Sequence, residues 1–135
     1  MRLLALDIGD KRTGVSISDP TNTFAISYGV IVTGDKKELA AKVKNICEKE
    51  NITKIVVGYP LKMDGTVGTR AKMIDEFISY LEFKTKLPVV RVDERLTTWE
   101  ANNIIKQQGR KIKDKKKIID KIAASVILQS YLDEL

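Results

Sequence analysis

The chain contains no histidine and one cysteine, Cys47. Without imidazole, Ser-His-Asp and Cys-His catalysis are excluded, and the commonest transition-metal ligand is missing. A lone thiol forms neither an internal disulfide nor a cysteine-based zinc cluster. Long uncharged apolar runs are absent as well, so no membrane span is expected. Asp7, Asp10, Lys11 and Arg12 break the N-terminal stretch too early for a secretory signal, and a cytoplasmic address is expected. Aromatics make up only 6% of the residues, with no set suited to stacking on bases. Chemistry must therefore run on carboxylates, hydroxyls, Lys, Arg or a hard, oxygen-liganded metal ion.

What is present fits one domain over residues 1–135. Apolar runs at 2–8, 14–18 and 25–33 with short connections predict an antiparallel meander. A helix is expected after Asp35, an N-cap with Glu38 three residues on, and Leu39, Val43, Ile46 and Cys47 follow helical spacing. That spacing makes Cys47 a core residue. A strand KIVVGYP, a loop LKMDGTVG, a helix from Thr69, a strand VVRVDER, a helix over 98–108 and a last helix over 115–132 complete the order. Strands alternating with helices imply parallel neighbours joined by crossovers. The expected fold class is α/β, a mixed five-stranded sheet covered by helices on both faces. Sites in such sheets gather at the carboxyl ends of the parallel strands.

Charge is uneven. Between Lys106 and Lys121 eight basic residues, among them Arg110, Lys111, Lys113, Lys115, Lys116 and Lys117, stand against Asp114 and Asp120, and this segment carries the whole net charge of +6. Such a patch is the electrostatic footprint of a polyanion-binding surface, although a solvated lysine-rich loop has the same composition.

Acidic residues interrupt apolar settings at three places in the chain. Asp7 ends the first strand, Asp93 and Glu94 end the strand after Pro88, and Asp120 falls among the apolar positions of the last helix. An isolated buried carboxylate must be paired, protonated or bound to a cation. Singly, each acid could pair with a base: Asp7 with Lys11 or Arg12, and Asp93 or Glu94 with Arg91 or Arg95. Together they suggest convergence on Mg²⁺ or Mn²⁺, one ion or two.

LALDIGDKRTGVSISD carries a D-x-G-x-x-R-x-G pattern at Asp7, Gly9, Arg12 and Gly14. With VVGYP, VDERLTT and IDKIAASVIL, the chain resembles the YqgF family, also called RuvX, of the ribonuclease H-like superfamily, over roughly 1–132. The resemblance implies a ribonuclease H-like three-layer α/β/α nuclease. It also implies metal-binding acids at Asp7, within Asp93–Glu94–Arg95 and at Asp120. Glu94 is preferred to Asp93, so the catalytic set is Asp7, Glu94 and Asp120. Arg12, Arg70 and Arg95 are then candidates for phosphate contacts, together with Lys11 and the basic segment. Gly9, Gly14, Gly58 and Gly65 would give a phosphate backbone room to approach. Unlike RuvC-type resolvases, which place an acid at the end of the middle strand, this chain has Gly58-Tyr59-Pro60 there.

The expected activity is metal-dependent hydrolysis of phosphodiester bonds in structured nucleic acid, and the resemblance implies that this is 5′-end maturation of pre-16S rRNA. Holliday junction resolution is the alternative, and a non-catalytic nucleic-acid-binding module a further one. No membrane partner is expected, and the protein is taken as monomer or homodimer. GDKRTGVS is not a P-loop, because Val15 stands where the phosphate-binding lysine belongs. An actin-like ATPase also begins with an Asp-x-Gly hairpin, but it closes two such domains on its nucleotide and this chain has room for one.

Overall fold

The computed structural model describes residues 2–60, 68–93 and 112–135, with side chains in the last stretch described from residue 122 onward. Its elements are β1 (Arg2–Ile8), β2 (Arg12–Ser18), β3 (Ala25–Val32), α1 (Lys36–Lys49), β4 (Ile52–Tyr59), α2 (Thr69–Thr85), β5 (Val89–Asp93) and α3 (Ile112–Asp133). The five strands form one sheet in the order β3-β2-β1-β4-β5. β2 is antiparallel to β1 and to β3, whereas β4 is parallel to β1 and to β5. This is the expected mixed sheet.

β1 lies at its centre and is apolar on both faces, as a doubly covered strand must be. Alternation sends Leu4, Leu6 and Ile8 to one side, where they pack with Val15, Ile17, Ile55 and Val57 beneath α1 and α2. Leu3 and Ala5 face the other way and pack with Val56 against Ile127, Leu128 and Leu132 of α3. Cys47 sits in the first of these cores, as its spacing predicts, and burial pushes its thiol up to about 12.

Local chemistry starts and stops the elements. The Asp35 carboxylate accepts hydrogen bonds from the N–H groups of Lys37 and Glu38, satisfying the open first turn of α1. α2 ends at Lys86, whose φ of 59° is left-handed. Asp19 organises the β2–β3 connection by accepting from the N–H groups of Thr21, Thr23 and Phe24 and from the Thr21 hydroxyl. These bonds, that of Phe24 first, hold its carboxyl at about 2 against an ordinary 3.8.

Several boundaries differ from the sequence reading; β4, for one, begins at Ile52 and not at Lys54. β2 begins at Arg12 rather than 14, because the connection from β1 is a two-residue turn over Asp10 and Lys11. α3 begins at Ile112 rather than 115, ahead of any apolar periodicity that could signal it. The helix expected over 98–108 lies outside the described residues.

Replacing Ile127, fully buried between α3 and the sheet, by alanine is expected to cost about 2–5 kcal/mol in urea unfolding. The folded-state carboxyl of Asp19 titrates below its ordinary value, so its contribution to stability is present above about pH 3.8 and lost as the pH falls through about 2. Asp19→Asn should flatten that acid limb, read from chemical denaturation at pH 2–5.

Candidate active site

Because β1, β4 and β5 run in parallel, their carboxyl ends share one edge of the sheet. Asp7 lies there, half-buried, one residue before the end of β1. Counting on from Leu3 and Ala5, alternation places it on the face covered by α3. Its cross-strand neighbour is Gly14, which brings no side chain to that face. Asp7 and Arg12 both have interaction partners within the fold.

α3 runs back along β1. The Ser16 hydroxyl, level with Ala5, donates to the carbonyl oxygen of Ala124 at 2.7 Å. Seven residues later, Lys54, level with Leu3, donates to the Tyr131 hydroxyl at 3.0 Å. Moving up the helix from 131 to 124 thus follows β1 toward its carboxyl end. Asp120 occurs one helical turn before Ala124, about 6 Å along the axis. Asp7 lies two strand residues beyond Ala5, roughly 7 Å. The helix backbone therefore brings position 120 to the edge that carries Asp7.

Asp93 falls differently. Val90 and Val92 pack with the α3-side core, and Val89 with the other. Asp93 alternates with Val92, so it lies on the α1/α2 face, opposite Asp7. Its register partner is Tyr59. On that same face the Tyr59 hydroxyl donates to Asp75 Oδ2 at 2.7 Å, and Arg91 donates to Asp75 Oδ1 through Nε at 2.9 Å, with a second nitrogen at 2.8 Å. The Arg91 guanidinium also stands 5.6 Å from the Tyr59 ring centroid. The bond from Tyr59, then the guanidinium, lowers the Asp75 carboxyl, and the same bond raises the Tyr59 phenol. Nothing in the spacing of Tyr59, Asp75 and Arg91 signals this cluster, since it joins two strands and a helix.

The hairpin after Asp7 is tightly built. The Gly9 N–H donates to the Arg12 carbonyl oxygen at 2.9 Å, and a Cβ at Gly9 would stand only 2.5 Å from that oxygen. Gly9 thus has a backbone reason independent of any ligand. Behind the strand end, Arg70 donates to the carbonyl oxygen of Ile8 at 2.9 Å and Lys36 to that of Gly9 at 3.0 Å. Arg70 is therefore tied to the strand that bears Asp7, while Lys11 is exposed at the hairpin tip. Gly58 sits near the end of β4, opposite Val92.

Glu94, Arg95, Arg110, Lys111 and Gly65 lie outside the described residues. Lys113, Lys115, Lys116, Lys117 and Asp120 are placed on α3 by its backbone alone. Among the described residues no group of three or more Asp, Glu, Cys or His side chains is gathered for a metal ion. Among them, too, no helix is long and apolar enough to cross a membrane.

The fold is that of the RuvC-like, ribonuclease H-fold resolvases. RuvC of T. thermophilus, solved with a Holliday junction substrate, superposes with a TM-score of 0.62 at 11% identity, covering 98% of this chain and 96% of that one. The fowlpox virus Holliday junction resolvase gives 0.60 at 17% identity with both chains fully covered. Sequence comparison is narrower: the family model described as "RuvX: Holliday junction resolvase" matches residues 1–134. A protein of Lachnospira eligens named "Putative pre-16S rRNA nuclease" is 40% identical over 136 residues, 98% of this chain and 97% of its own. A protein of the same name from Acetivibrio thermocellus is 41% identical over 135 residues, 98% and 96% of the two chains. The chain belongs to the RuvX family.

Gly9→Ala should destabilise the β1–β2 hairpin by about 1–3 kcal/mol, measured by thermal unfolding, because the added methyl meets backbone and not a movable side chain. Asp75→Ala should bring the Tyr59 phenol back toward 10, seen as an earlier phenolate transition in the ultraviolet that is absent when Tyr59→Phe is added.

Proposed function

We propose that this chain is a metal-dependent nuclease that hydrolyses phosphodiester bonds in structured RNA, and that its substrate is the 5′ end of pre-16S rRNA. The observation that carries this reading is Asp7: a half-buried carboxylate at the shared edge of the parallel strands, facing α3 and opposite a glycine. Near full-length likeness to relatives named as pre-16S rRNA nucleases supports the choice of RNA. Holliday junction resolution is the second reading, favoured by the family model's description and by the RuvC fold.

A carboxylate-only donor set suits a hard divalent cation, Mg²⁺ or Mn²⁺, and not zinc. Asp7, Glu94 and Asp120 would hold it. Asp93 lies on the face of the sheet opposite Asp7, which makes it the weaker candidate of the pair and leaves Glu94 preferred. When bound, such an ion supplies Lewis-acid activation of the phosphodiester.

The chain's own residues do the rest. α3 covers the face of the sheet that carries Asp7, with Ala124 and Ile127 both fully buried. Arg12 and Arg70, with the basic positions from 106 to 121, hold the flanking phosphates, and Arg70 also steadies the end of β1 through the Ile8 carbonyl. With few aromatics, recognition reads shape and backbone more than base identity. The proposed setting is the cytoplasm, where ribosomal RNA precursors are processed.

The test is cleavage of matched precursor rRNA and four-way junction DNA with Mg²⁺ or Mn²⁺. Asp7→Asn and Asp120→Asn are expected to lower the rate by about a hundredfold or more, with Glu94→Gln far more damaging than Asp93→Asn. Retained cleavage in Asp7→Asn would remove the metal-site reading. Unchanged binding with no cleavage by the wild type would leave a binding module. Preference for the junction would turn the assignment to resolvase. Affinity should fall steeply between about 50 and 200 mM salt, as phosphate neutralisation requires.

A further inference from the structure

We infer that two copies of this chain associate through β3, with Phe24, Ile26 and Tyr28 as the apolar centre of a two-fold interface. This goes beyond the nuclease reading and does not depend on it.

β3 is the edge of the sheet away from β5, and among the described residues it pairs with β2 alone. Edge strands are ordinarily guarded by charge, proline or a covering segment, because their open N–H and C=O groups accept another strand. From Phe24 to Val32 the chain has neither a charged residue nor a proline. Phe24, Ile26, Tyr28 and Val32 are 65%, 45%, 38% and 67% exposed, whereas elsewhere among the described residues only Met73, Phe83 and Leu135 are large apolar residues in that state. Single exposed apolar residues need no explanation; a cluster marks a contact surface.

The cluster is held ready. Asp19 accepts from the Phe24 N–H at 2.8 Å and donates its own N–H to the Phe24 carbonyl at 2.9 Å, so the backbone is fixed while the ring stands in solvent. The Tyr28 hydroxyl donates to Glu50 at 3.3 Å. Segments ordered before contact lose less entropy on binding. Gln129 caps the start of the edge, accepting from the Ala25 N–H and donating to the Thr23 carbonyl, both at 2.9 Å. Pairing with a further strand therefore begins at Ser27, the next residue in the alternation. The register shift opposite Val15 and Ser16 makes Tyr28 an extra residue, and such a bulge bends the strand. The ladder between copies is thus short, and the apolar side chains carry the contact.

Charge and symmetry select a second copy as the occupant. Residues 106–121 carry the whole net charge of +6, so the rest of the chain is neutral and does not repel its own kind. At the start of β3 stands Asp19, while Glu50 nearby is already paired with Arg2. At its end stands the hairpin tip, where Lys11 and Arg12 outnumber Asp10 and the Lys11 carbonyl accepts the Thr33 N–H. Antiparallel pairing about a two-fold sets the acidic end of each copy beside the basic end of the other. The edge is complementary to itself. β3 also runs parallel to β1, since both are antiparallel to β2. The two Asp7 edges of such a dimer therefore point in opposite directions, and each meets its own substrate.

The test is the oligomeric state, measured by sedimentation over a range of concentrations for wild type, Ile26→Lys and Phe24→Ser. A urea unfolding curve establishes that each variant is folded, and if one is not, the other decides. The wild type is expected to move toward twice the chain mass as concentration rises, with both variants weakening association by about tenfold or more. Ser27→Cys adds an exposed thiol to a chain whose own Cys47 is buried. A short bis-maleimide should join two copies through it, and adding Ile26→Lys should abolish that product. A wild type that stays monomeric up to about 100 μM, or a dimer that the folded variants leave intact, would overturn the proposal. So would a monomer whose affinity for precursor rRNA falls in Ile26→Lys, a result that gives the patch to nucleic acid.

Discussion

Everything in this molecule depends on β1 being buried on both faces in one register. Leu4, Leu6 and Ile8 anchor the layer formed by α1 and α2, and Leu3 and Ala5 anchor α3. A slip by one residue would exchange those two sets and send Asp7 to the wrong face. The apolar residues of β1 thus do more than stabilise the fold, because they aim the carboxylate that follows them. The tight Gly9–Arg12 hairpin and the ties from Arg70 and Lys36 to the Ile8 and Gly9 carbonyls then keep the end of that strand from fraying.

α3 turns this strand into an edge with chemistry. Among the described residues it is the helix that covers the second face, and Ser16 and Lys54 pin it to the sheet at Ala124 and Tyr131. Its apolar second half supplies the core, while its first turns carry the lysine-rich segment to the strand ends where Asp7 lies. Stability and electrostatic attraction are therefore divided along one helix. Positive charge crowded at a helix N-terminus opposes the helix dipole, a cost that polyanion binding would offset.

The opposite face carries a different kind of order. Asp93, at the end of β5, lies on the side of the sheet away from Asp7. Asp93 joins the side of Tyr59, Arg91 and Asp75, a network of exposed polar groups whose members hold one another through directed hydrogen bonds.

Much was legible in the residues themselves. Apolar alternation and short connections predicted the meander, Asp35 marked the start of α1, and helical spacing placed Cys47 in the core, because local periodicity records which side is buried. The absence of histidine directed attention to carboxylates, and Asp7 stood out because a charge ends an apolar run. The approach of position 120 to the Asp7 edge was not legible, since it depends on α3 running back along β1, a fact of packing. Neither was the reason for Gly9, which lies in the closeness of the Arg12 carbonyl. Above all, sequence alone could not place Asp93 on the face away from Asp7 or bring Asp75 to Tyr59 and Arg91. Which face a strand residue occupies is decided only when the layers above and below it are in place.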